Sequence, residues 1–334
     1  MARTAFFTRF GGPEVIEWAD VDLPAPGPGE VRIATRAVGL NFIDTYHRRG
    51  IYPVDLPSGL GLEASGVVTA LGAGLGVGVG VGVAAADLAV GDRVATFGPQ
   101  RGAYTTERNL PAASLFKLPD AIDDETAAAA LLKGATAEFL AERCANVQPG
   151  DWVLVHAAAG GVGLILVQWL KAIGARVIGT VGNPSKAALA TGAGAEEVIL
   201  YDHEDVAKRV RVITGGAGVR VTYDGVGLAT WEASLDATGK RGLIVSYGNA
   251  SAPVTGVSLG ILATKGSLYN TRPTLFDYYS TPEERSAGAA RLWDMIASRK
   301  VNITIGQRYP LEAAAQAHVD LEARRTTGST VLVV

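Results

Sequence analysis

Residues 153–163 read Val-Leu-Val-His-Ala-Ala-Ala-Gly-Gly-Val-Gly, and the apolar segment 164–173 follows them directly. A short strand that passes through small residues into a helix is typical of a dinucleotide site, because the helix N-terminus attracts the pyrophosphate. We predict Ala158 at the tight turn, Gly160 where backbone approaches a phosphate, and Gly163 where the helix packs on the strand. Taken alone, the stretch also fits an ordinary close-packed turn between a strand and a helix.

A second predicted strand, 175–181, ends about 20 residues after the first glycines, where NAD-binding proteins place an acid for the ribose 2′-hydroxyl. Gly182 and Asn183 stand at that point, and no carboxylate does. Asn183 is expected to cap a helix that begins at Pro184 and carries Lys186 in its first turn. A lysine beside a helix N-terminus favours a phosphate, so this loop favours NADPH over NADH; a solvated surface lysine is the alternative.

The second half of the chain alternates between strands and helices. Predicted strands lie at 153–155, 177–181, 198–201, 219–223 and 243–247, with a sixth at 267–270. Parallel strands at this spacing need right-handed helical crossovers. The pattern therefore predicts a doubly wound α/β (Rossmann) domain.

The first part of the chain, before about residue 120, consists of short alternating runs broken by Gly and Pro. One predicted strand buries Val31, Ile33, Thr35 and Ala37 on one face and exposes Arg32 and Arg36 on the other. This pattern predicts a mainly β domain, to which a helix at 283–298 and a strand at 329–334 are expected to return. The expected domain ranges are 1–125, 126–269 and 270–334, with the ligand site in a cleft between the two domains.

Composition narrows the classes of function. The 334 residues are 48% hydrophobic with a net charge of −3 and no basic run, which argues against nucleic acid as a main partner. Cys144 is the single cysteine, so no intramolecular disulfide can form and we expect a cytoplasmic protein. Residues 64–86 are uncharged, but their glycines alternate at the strand period. A β-segment and a protruding Gly/Val-rich loop at 72–86 are therefore favoured over a membrane span.

Motifs spread over nearly the whole chain resemble one family. They are Gly-Leu-Asn-Phe-Ile-Asp-Thr-Tyr at 39–46, Pro-Ser-Gly-Leu-Gly-Leu-Glu-Ala-Ser-Gly at 57–66, Leu-Lys-Gly-Ala-Thr at 132–136, the turn at 156–163, Ser-Tyr-Gly-Asn at 246–249 and Gly-Ser-Leu-Tyr-Asn-Thr-Arg-Pro at 266–273. The chain resembles the NADPH-dependent quinone oxidoreductases of the ζ-crystallin type, which are zinc-free medium-chain dehydrogenases/reductases. The resemblance implies a Rossmann cofactor domain, a GroES-like catalytic domain, and hydride transfer from NADPH to a quinone, with one-electron transfer left open.

Candidate site residues fall into two groups. We expect Asn41, Tyr46 and Tyr52 to orient the quinone and to donate hydrogen bonds to the oxygen that gains charge; tyrosines that only line the cleft are the alternative. The resemblance implies a set of residues around the cofactor: Phe42, Ile43, Thr136, Gly160, Gly161, Val162, Gly163, Gly182, Asn183, Lys186, Tyr201, Gly248, Asn249, Leu268, Asn270 and Arg324. Tyr201 also fits a space-filling aromatic residue at a strand end.

No metal is expected. Zinc alcohol dehydrogenases belong to the same superfamily, but here Asn41 replaces their first cysteine ligand and Leu62 replaces the histidine before Glu63. A catalytic zinc needs three side-chain ligands, so these replacements remove the site. The four histidines are too scattered to rebuild it and are expected to be structural or at the surface: His47, His156, His203 and His318.

Two other functions stay open. An alkenal or enone double-bond reductase would use the same cofactor, and some relatives of the ζ-crystallin type serve as structural or RNA-binding proteins. The resemblance also implies a homodimer formed by strand edges around residues 266–271.

Overall fold

The computed structural model describes residues 1–75 and 88–334 and contains two compact units. The first unit comprises Met1–Ala135, Tyr279–Ala297 and Ile305–Val334, and the second comprises Thr136–Tyr278 and Ser298–Thr304. The domain ranges expected from the sequence remain predictions. Most of the Gly/Val-rich loop expected at 72–86 lies outside the described residues.

The chain begins with a series of strands and two helices. In order these are β1 (Ala2–Phe7), β2 (Glu17–Val21), β3 (Glu30–Leu40), α1 (Phe42–Arg48), β4 (Ser58–Gly59), β5 (Glu63–Leu71), β6 (Arg93–Phe97), β7 (Glu107–Pro111), β8 (Leu115–Lys117) and α2 (Asp124–Glu138). A π-helical turn, Phe139–Cys144, continues α2.

Strands and helices then alternate as predicted. They are β9 (Trp152–Val155), α3 (Gly161–Ile173), β10 (Arg176–Val181), α4 (Pro184–Ala193), β11 (Glu197–Leu200), α5 (Val206–Ile213), β12 (Val219–Asp224), α6 (Trp231–Ala237), β13 (Thr238–Ser246), α7 (Gly260–Thr264), β14 (Tyr269–Thr271) and α8 (Leu275–Tyr278). Their sheet is parallel throughout and has the order β11-β10-β9-β12-β13-β14. The predicted doubly wound α/β fold is confirmed, with the strand order reversing between β9 and β12.

The last elements are α9 (Pro282–Ala297), β15 (Ile305–Pro310), α10 (Ala314–Glu322) and β16 (Ser329–Val333). β16 pairs antiparallel with β3, which places it in the large sheet of the first unit. That sheet has the order β15-β16-β3-β5-β6-β8, with β7 also paired to β3, and a smaller sheet has the order β2-β1-β4. Within the described residues, none of the helices combines the length and apolarity needed to cross a bilayer.

Alternation in β3 explains how the first unit obtains its core. Val31, Ile33 and Ala37 are fully buried, whereas Arg36 on the other face is exposed, as the sequence predicted. Val31 and Ile33 pack with apolar residues of β5, β6 and β7 in one cluster. In the second unit, Leu154, Ile178 and Ile199 of three adjacent strands pack with apolar residues of α5. Each unit thus has its own hydrophobic core.

Candidate cofactor and substrate sites

The turn between β9 and α3 brings backbone close to backbone. Ala157 has a φ of 53°, in the left-handed region, and Gly160 is the N-cap of α3 without a side-chain cap. A Cβ atom on Gly163 would lie 2.3 Å from the carbonyl oxygen of Ala157, so only glycine fits there. The close packing predicted at Gly163 is present, and Ala158 lies inside the turn that the Gly160 N–H closes on the Ala157 carbonyl oxygen, as predicted. Ala158 also donates its N–H to the backbone carbonyl oxygen of Thr180 at 3.0 Å, which ties the turn to β10.

The first amide groups of α3 belong to Gly161, Val162 and Gly163 and have no helical carbonyl one turn earlier to bind. These amides and the helix dipole favour an anion at this end of the helix. The backbone here therefore fits a pyrophosphate, because no side chain at Gly160 or Gly161 obstructs its approach.

The second loop, between β10 and α4, has the predicted cap. The side-chain oxygen of Asn183 accepts the N–H of Lys186 at 3.0 Å, and Pro184 is the first helical residue. The Tyr201 hydroxyl lies near Gly182, since a Cβ atom placed on that glycine would be 2.7 Å from it. The structure therefore brings together four residues of the expected 2′-phosphate site.

Asp202 was missed by the analysis of the sequence. One of its carboxylate oxygens lies 3.4 Å from the position that a Cβ atom on Gly182 would occupy, although no acid stands at the end of β10 itself. The carboxylate follows β11, the strand beside β10 in the sheet, so the spacing along one strand and helix could not reveal it. Asp202 therefore places a negative charge near Gly182, which is close in sequence to the positive charge of Lys186 in the first turn of α4.

The loop after β13 lies against the loop after β12. A Cβ atom on Gly248 would be 2.3 Å from the carbonyl oxygen of Gly225, and Asn249 is buried. Leu268 packs its side chain against Trp231 and other core residues, so only its backbone could face a ligand. Asn270 is exposed on β14, the edge strand.

Two further residues that are expected around the cofactor lie at the ends of other elements. Thr136 is buried near the C-terminal end of α2. Arg324 follows α10 with a φ of 59° and an exposed side chain, and it belongs to the first unit.

Helix α1 carries Phe42 and Ile43, which are expected around the cofactor, and Tyr46, which is expected at the quinone. Phe42 and Ile43 in its first turn are half-buried, and Tyr46 is buried. The ring of Tyr46 contacts the rings of Phe42 and Tyr52, with centroids 6.2 and 5.2 Å apart. The two predicted phenols thus lie side by side.

Asn41 is the N-cap of α1 and has no donor hydrogen to spare. Its amide Nδ2 donates to Gly39 O at 3.1 Å and to Glu63 Oε2 at 2.8 Å, and its backbone carbonyl accepts the N–H of Asp44 at 3.0 Å. The expectation that Asn41 donates a hydrogen bond to the substrate is therefore wrong for this arrangement. Asn41 instead fixes where α1 begins.

Glu63 is fully buried and is the centre of a charged cluster that the motifs did not predict. It accepts the Leu132 N–H at 2.6 Å and pairs with the ammonium of Lys133 at 3.1 Å, besides binding Asn41. Gly39 makes room for it, because a Cβ atom there would lie 2.2 Å from the Glu63 carboxylate. A buried carboxylate needs such partners, and Lys133 supplies the opposite charge.

A second buried network starts at Asp44. Its carboxylate accepts the Asn41 N–H at 2.9 Å and the Tyr104 hydroxyl at 3.0 Å, and that hydroxyl also contacts His318 Nε2 at 3.0 Å. Arg48 donates from Nη1 to His318 Nδ1 at 2.8 Å, and its Nη2 donates to both carboxylate oxygens of Glu322. The network fixes both ends of α1 against the C-terminal helix α10.

Burial controls the titration of this network. Burial raises the pKa of the Asp44 carboxyl to about 7, although its hydrogen bonds from Asn41 and Tyr104 act in the opposite direction. Burial, reinforced by the charge of Arg48, lowers the pKa of His318 to about 3. A neutral His318 with Arg48 bound at Nδ1 carries its hydrogen on Nε2, so it donates to Tyr104.

The histidines have the roles that the sequence predicted. His47, His156 and His318 are buried, and His203 is exposed. Across residues 1–75 and 88–334, no three His, Cys, Asp or Glu side chains group as metal ligands would.

Comparisons with known proteins agree with both units. Residues 27–120 match the family model "Alcohol dehydrogenase GroES-like domain", and residues 161–279 match "Zinc-binding dehydrogenase". The chain is 51% identical to a quinone oxidoreductase of Pseudomonas aeruginosa, with all of both chains covered. The chain belongs to the quinone oxidoreductase family.

Two other members of this set bear on the chemistry. The crystal structure of Escherichia coli quinone oxidoreductase complexed with NADPH has a TM-score of 0.94 and 46% identity to this chain, again over all of both chains. A 2-haloacrylate reductase of a Burkholderia species is 41% identical over all of this chain and 99% of its own length. A relative of similar identity is thus named for a different acceptor.

One family model is named for zinc, but this member of the quinone oxidoreductase family does not fit a zinc ion. Asn41 and Lys133 offer an amide and an ammonium, both engaged with Glu63, and Leu62 beside it is aliphatic. Zinc in proteins binds thiolate, imidazole or carboxylate ligands. The cation that faces Glu63 in this structure is the lysine ammonium.

Proposed function

We propose that this protein reduces quinones with NADPH and without a metal ion. The observation that carries the proposal is the full-length similarity to a quinone oxidoreductase whose structure contains NADPH. The close backbone packing at Gly163 and the capped helix that carries Lys186 provide the matching local features in this chain.

The cofactor is expected to use three backbone segments of the second unit: the start of α3, the loop after β10 and the loop after β13 at residues 248–249. Amides of Gly161 to Gly163 bind the pyrophosphate, and Gly182, Asn183, Lys186 and Tyr201 surround the 2′-phosphate. The remaining contacts of the expected set come from Phe42, Ile43, Thr136, Gly160, Gly248, Asn249, Leu268, Asn270 and Arg324. When bound, the reduced nicotinamide supplies a hydride.

Tyr46 and Tyr52 are the expected donors to the quinone oxygen. Their rings contact each other, and a phenol can donate a hydrogen bond to an oxygen that gains negative charge. Asn41 acts on them indirectly, because it caps the helix that carries Tyr46. It is a positioning residue.

The protein is expected to work in the cytoplasm, on a small molecule, as a homodimer. A single cysteine fits a reducing cytoplasm, and a net charge of −3 fits a small-molecule substrate better than nucleic acid. Strand β14 forms the open edge of its sheet with Tyr269 64% exposed, so pairing of two copies along β14 would form a homodimer.

Reduction of an activated carbon–carbon double bond is the second candidate. It is favoured by the 41% identity to the 2-haloacrylate reductase. An enone carbonyl also gains negative charge as hydride arrives, so the same phenols could donate to it.

Steady-state rates separate the two candidates. We expect 1,4-benzoquinone to be reduced with a kcat/KM at least about tenfold above that of a simple enone or 2-chloroacrylate at equal NADPH, about 1.4 kcal/mol of discrimination. A higher kcat/KM for the alkene would assign the second function. Retention of RNA that weakens with salt, without turnover of either compound, would indicate a binding protein instead.

A further inference from the structure

Four buried polar side chains of the second unit form a line that the function so far does not use. Thr180 in β10 lies 3.0 Å from His156 Nδ1, and His156 Nε2 lies 3.1 Å from Ser234 Oγ in α6. Ser234 donates to Asp224 Oδ2, at the end of β12, at 2.7 Å. None of the four is more than 1% exposed.

The hydrogens in this line can point in one direction only. The Asp224 carboxylate can only accept, so the single hydroxyl hydrogen of Ser234 goes to Asp224. Ser234 must then accept from His156, which places the imidazole hydrogen on Nε2. His156 Nδ1 therefore accepts the hydroxyl hydrogen of Thr180. Burial lowers the pKa of His156, which keeps the ring neutral as this order requires.

The line lies under all three segments expected to hold the cofactor. Thr180 comes just before the Gly182–Asn183 loop, and His156 comes directly before the left-handed Ala157 of the pyrophosphate turn. Asp224 binds the amides of Val226 and Gly227, both at 2.9 Å. β12, which ends at Asp224, pairs with β9. The line therefore crosses the sheet between β9 and β12, where the strand order reverses.

Asp224 also binds backbone next to the third segment, the loop at residues 248–249. Its backbone carbonyl oxygen accepts the Tyr247 N–H at 2.8 Å, directly before Gly248. Further along, the N–H of Ser251 donates to the carbonyl oxygen of Val226 in the loop 225–227 at 2.8 Å. The two loops cannot move apart without breaking these bonds. A change at Thr180 can therefore reach the loop at 248–249 through hydrogen bonds alone.

We propose that the Thr180–His156–Ser234–Asp224 line positions the backbone that binds NADPH, with His156 as the positioning residue at its centre. The inference rests on the proposed function. None of the four side chains needs to touch the cofactor. Removing one member leaves the next with a buried atom that has lost its partner, and the loops then relax to satisfy it.

A matched pair of substitutions tests this role. Thr180→Val removes the hydroxyl that binds His156 and keeps the shape of the side chain. Thr222→Val is the control, because Thr222 is equally buried on β12 and its hydroxyl binds Thr238 instead, at 2.7 Å. Both variants lose one buried hydrogen bond, so a purely structural effect would be the same in both.

The readouts are NADPH affinity by calorimetry and steady-state kinetics. We expect Thr180→Val to weaken NADPH binding about tenfold and to raise its KM equally, with kcat at saturating NADPH within about twofold of the wild type. Thr222→Val should change NADPH binding less than about twofold. Equal NADPH binding in both variants would overturn the inference. Wild-type protein that fails to bind NADPH would instead overturn the proposed function.

A second measurement does not depend on any variant. Nuclear magnetic resonance of isotope-labelled histidine should show His156 as the neutral Nε2–H tautomer in the cofactor-free protein. A hydrogen on Nδ1, or a charged ring near neutral pH, would contradict the direction of the line. Ser234→Ala should repeat the loss of NADPH affinity, because it removes the acceptor of that hydrogen.

Discussion

At the scale of single residues, we expect the charges around Gly182 to set the choice of coenzyme. Lys186→Ala should lower the preference for NADPH over NADH about tenfold, because the 2′-phosphate loses a cation. Asp202→Asn should raise the same preference by about two- to threefold, since Asp202 is exposed and its repulsion is screened. Calorimetry with both coenzymes measures the ratio. Parallel changes in NADPH and NADH binding would show that these charges do not face the 2′-phosphate.

Tyr52 provides a test of the substrate donors. Tyr52→Phe keeps the ring contact with Tyr46 but removes the phenol. We expect kcat/KM for 1,4-benzoquinone to fall about tenfold while NADPH binding stays unchanged. Tyr46→Phe should have a similar effect. An unchanged kcat/KM in both variants would show that the tyrosines only line the site and donate no hydrogen bond to the quinone.

Asp44 should make stability depend on pH. Its pKa is raised by burial to about 7 from a usual value of 3.8, so the native state favours the protonated carboxyl. This contribution to the free energy of unfolding is full below the usual value and is lost as the pH rises towards 7. Asp44→Asn should abolish that part of the slope, measured by urea unfolding at several pH values. A wild-type minus variant difference that is constant between about pH 4 and 7 would contradict it.

The side-chain contacts that could be predicted from the sequence join residues a few positions apart. The cap at Asn183 binds Lys186 three residues later, so the spacing alone shows it. Asp44 and His318 share Tyr104 as a partner, and Arg48 reaches His318 over 270 positions of sequence, which no local pattern reveals. Asn41 shows the opposite case. Its residue type suggested a donor to the substrate, but its amide already donates to Glu63, a partner 22 positions away that the sequence did not reveal.

At the scale of elements, the start of α3 depends on glycine. Gly163→Ala would place a Cβ atom 2.3 Å from a backbone oxygen of the turn, so α3 must shift. We expect a loss of about 1–3 kcal/mol in stability together with weaker NADPH binding. Gly192→Ala in α4 is the control, because nothing lies within 4 Å of its Cβ position. It should stabilise the protein by up to about 1 kcal/mol and leave NADPH binding unchanged. Equal NADPH binding in both variants would show that α3 does not seat the pyrophosphate.

Strand positions were predicted better than strand bounds. The apolar runs in β9 and β10 mark their strands, because both faces of a parallel sheet are buried. β13 begins at Thr238 rather than at the predicted residue 243, since Thr238 pairs with Val219 of β12 across a register shift. The polar, exposed Lys240 and Arg241 hide this extension from any search for apolar runs.

At the scale of the whole molecule, a change in periodicity and the C-terminal strand predict two domains, whose ranges remain predictions. β16, at the end of the chain, pairs with β3, which begins at Glu30. Because the two strands are so far apart in sequence, no local pattern could show this pairing. It was expected only because the C-terminal part was predicted to return to the first domain. The charged cluster of Glu63 and Lys133 depends on contacts between β5 and α2 and was not predicted.

Metal-free reduction of a quinone by NADPH is the claim on which the function depends. It is tested most directly by NADPH consumption with 1,4-benzoquinone after exhaustive dialysis against a chelator, with the metal content of the same sample measured. We expect full activity with no stoichiometric metal, because the lysine ammonium of Lys133 already pairs with Glu63. Activity that disappears with the chelator and returns with added zinc would contradict the claim, as would a rate with NADH equal to that with NADPH.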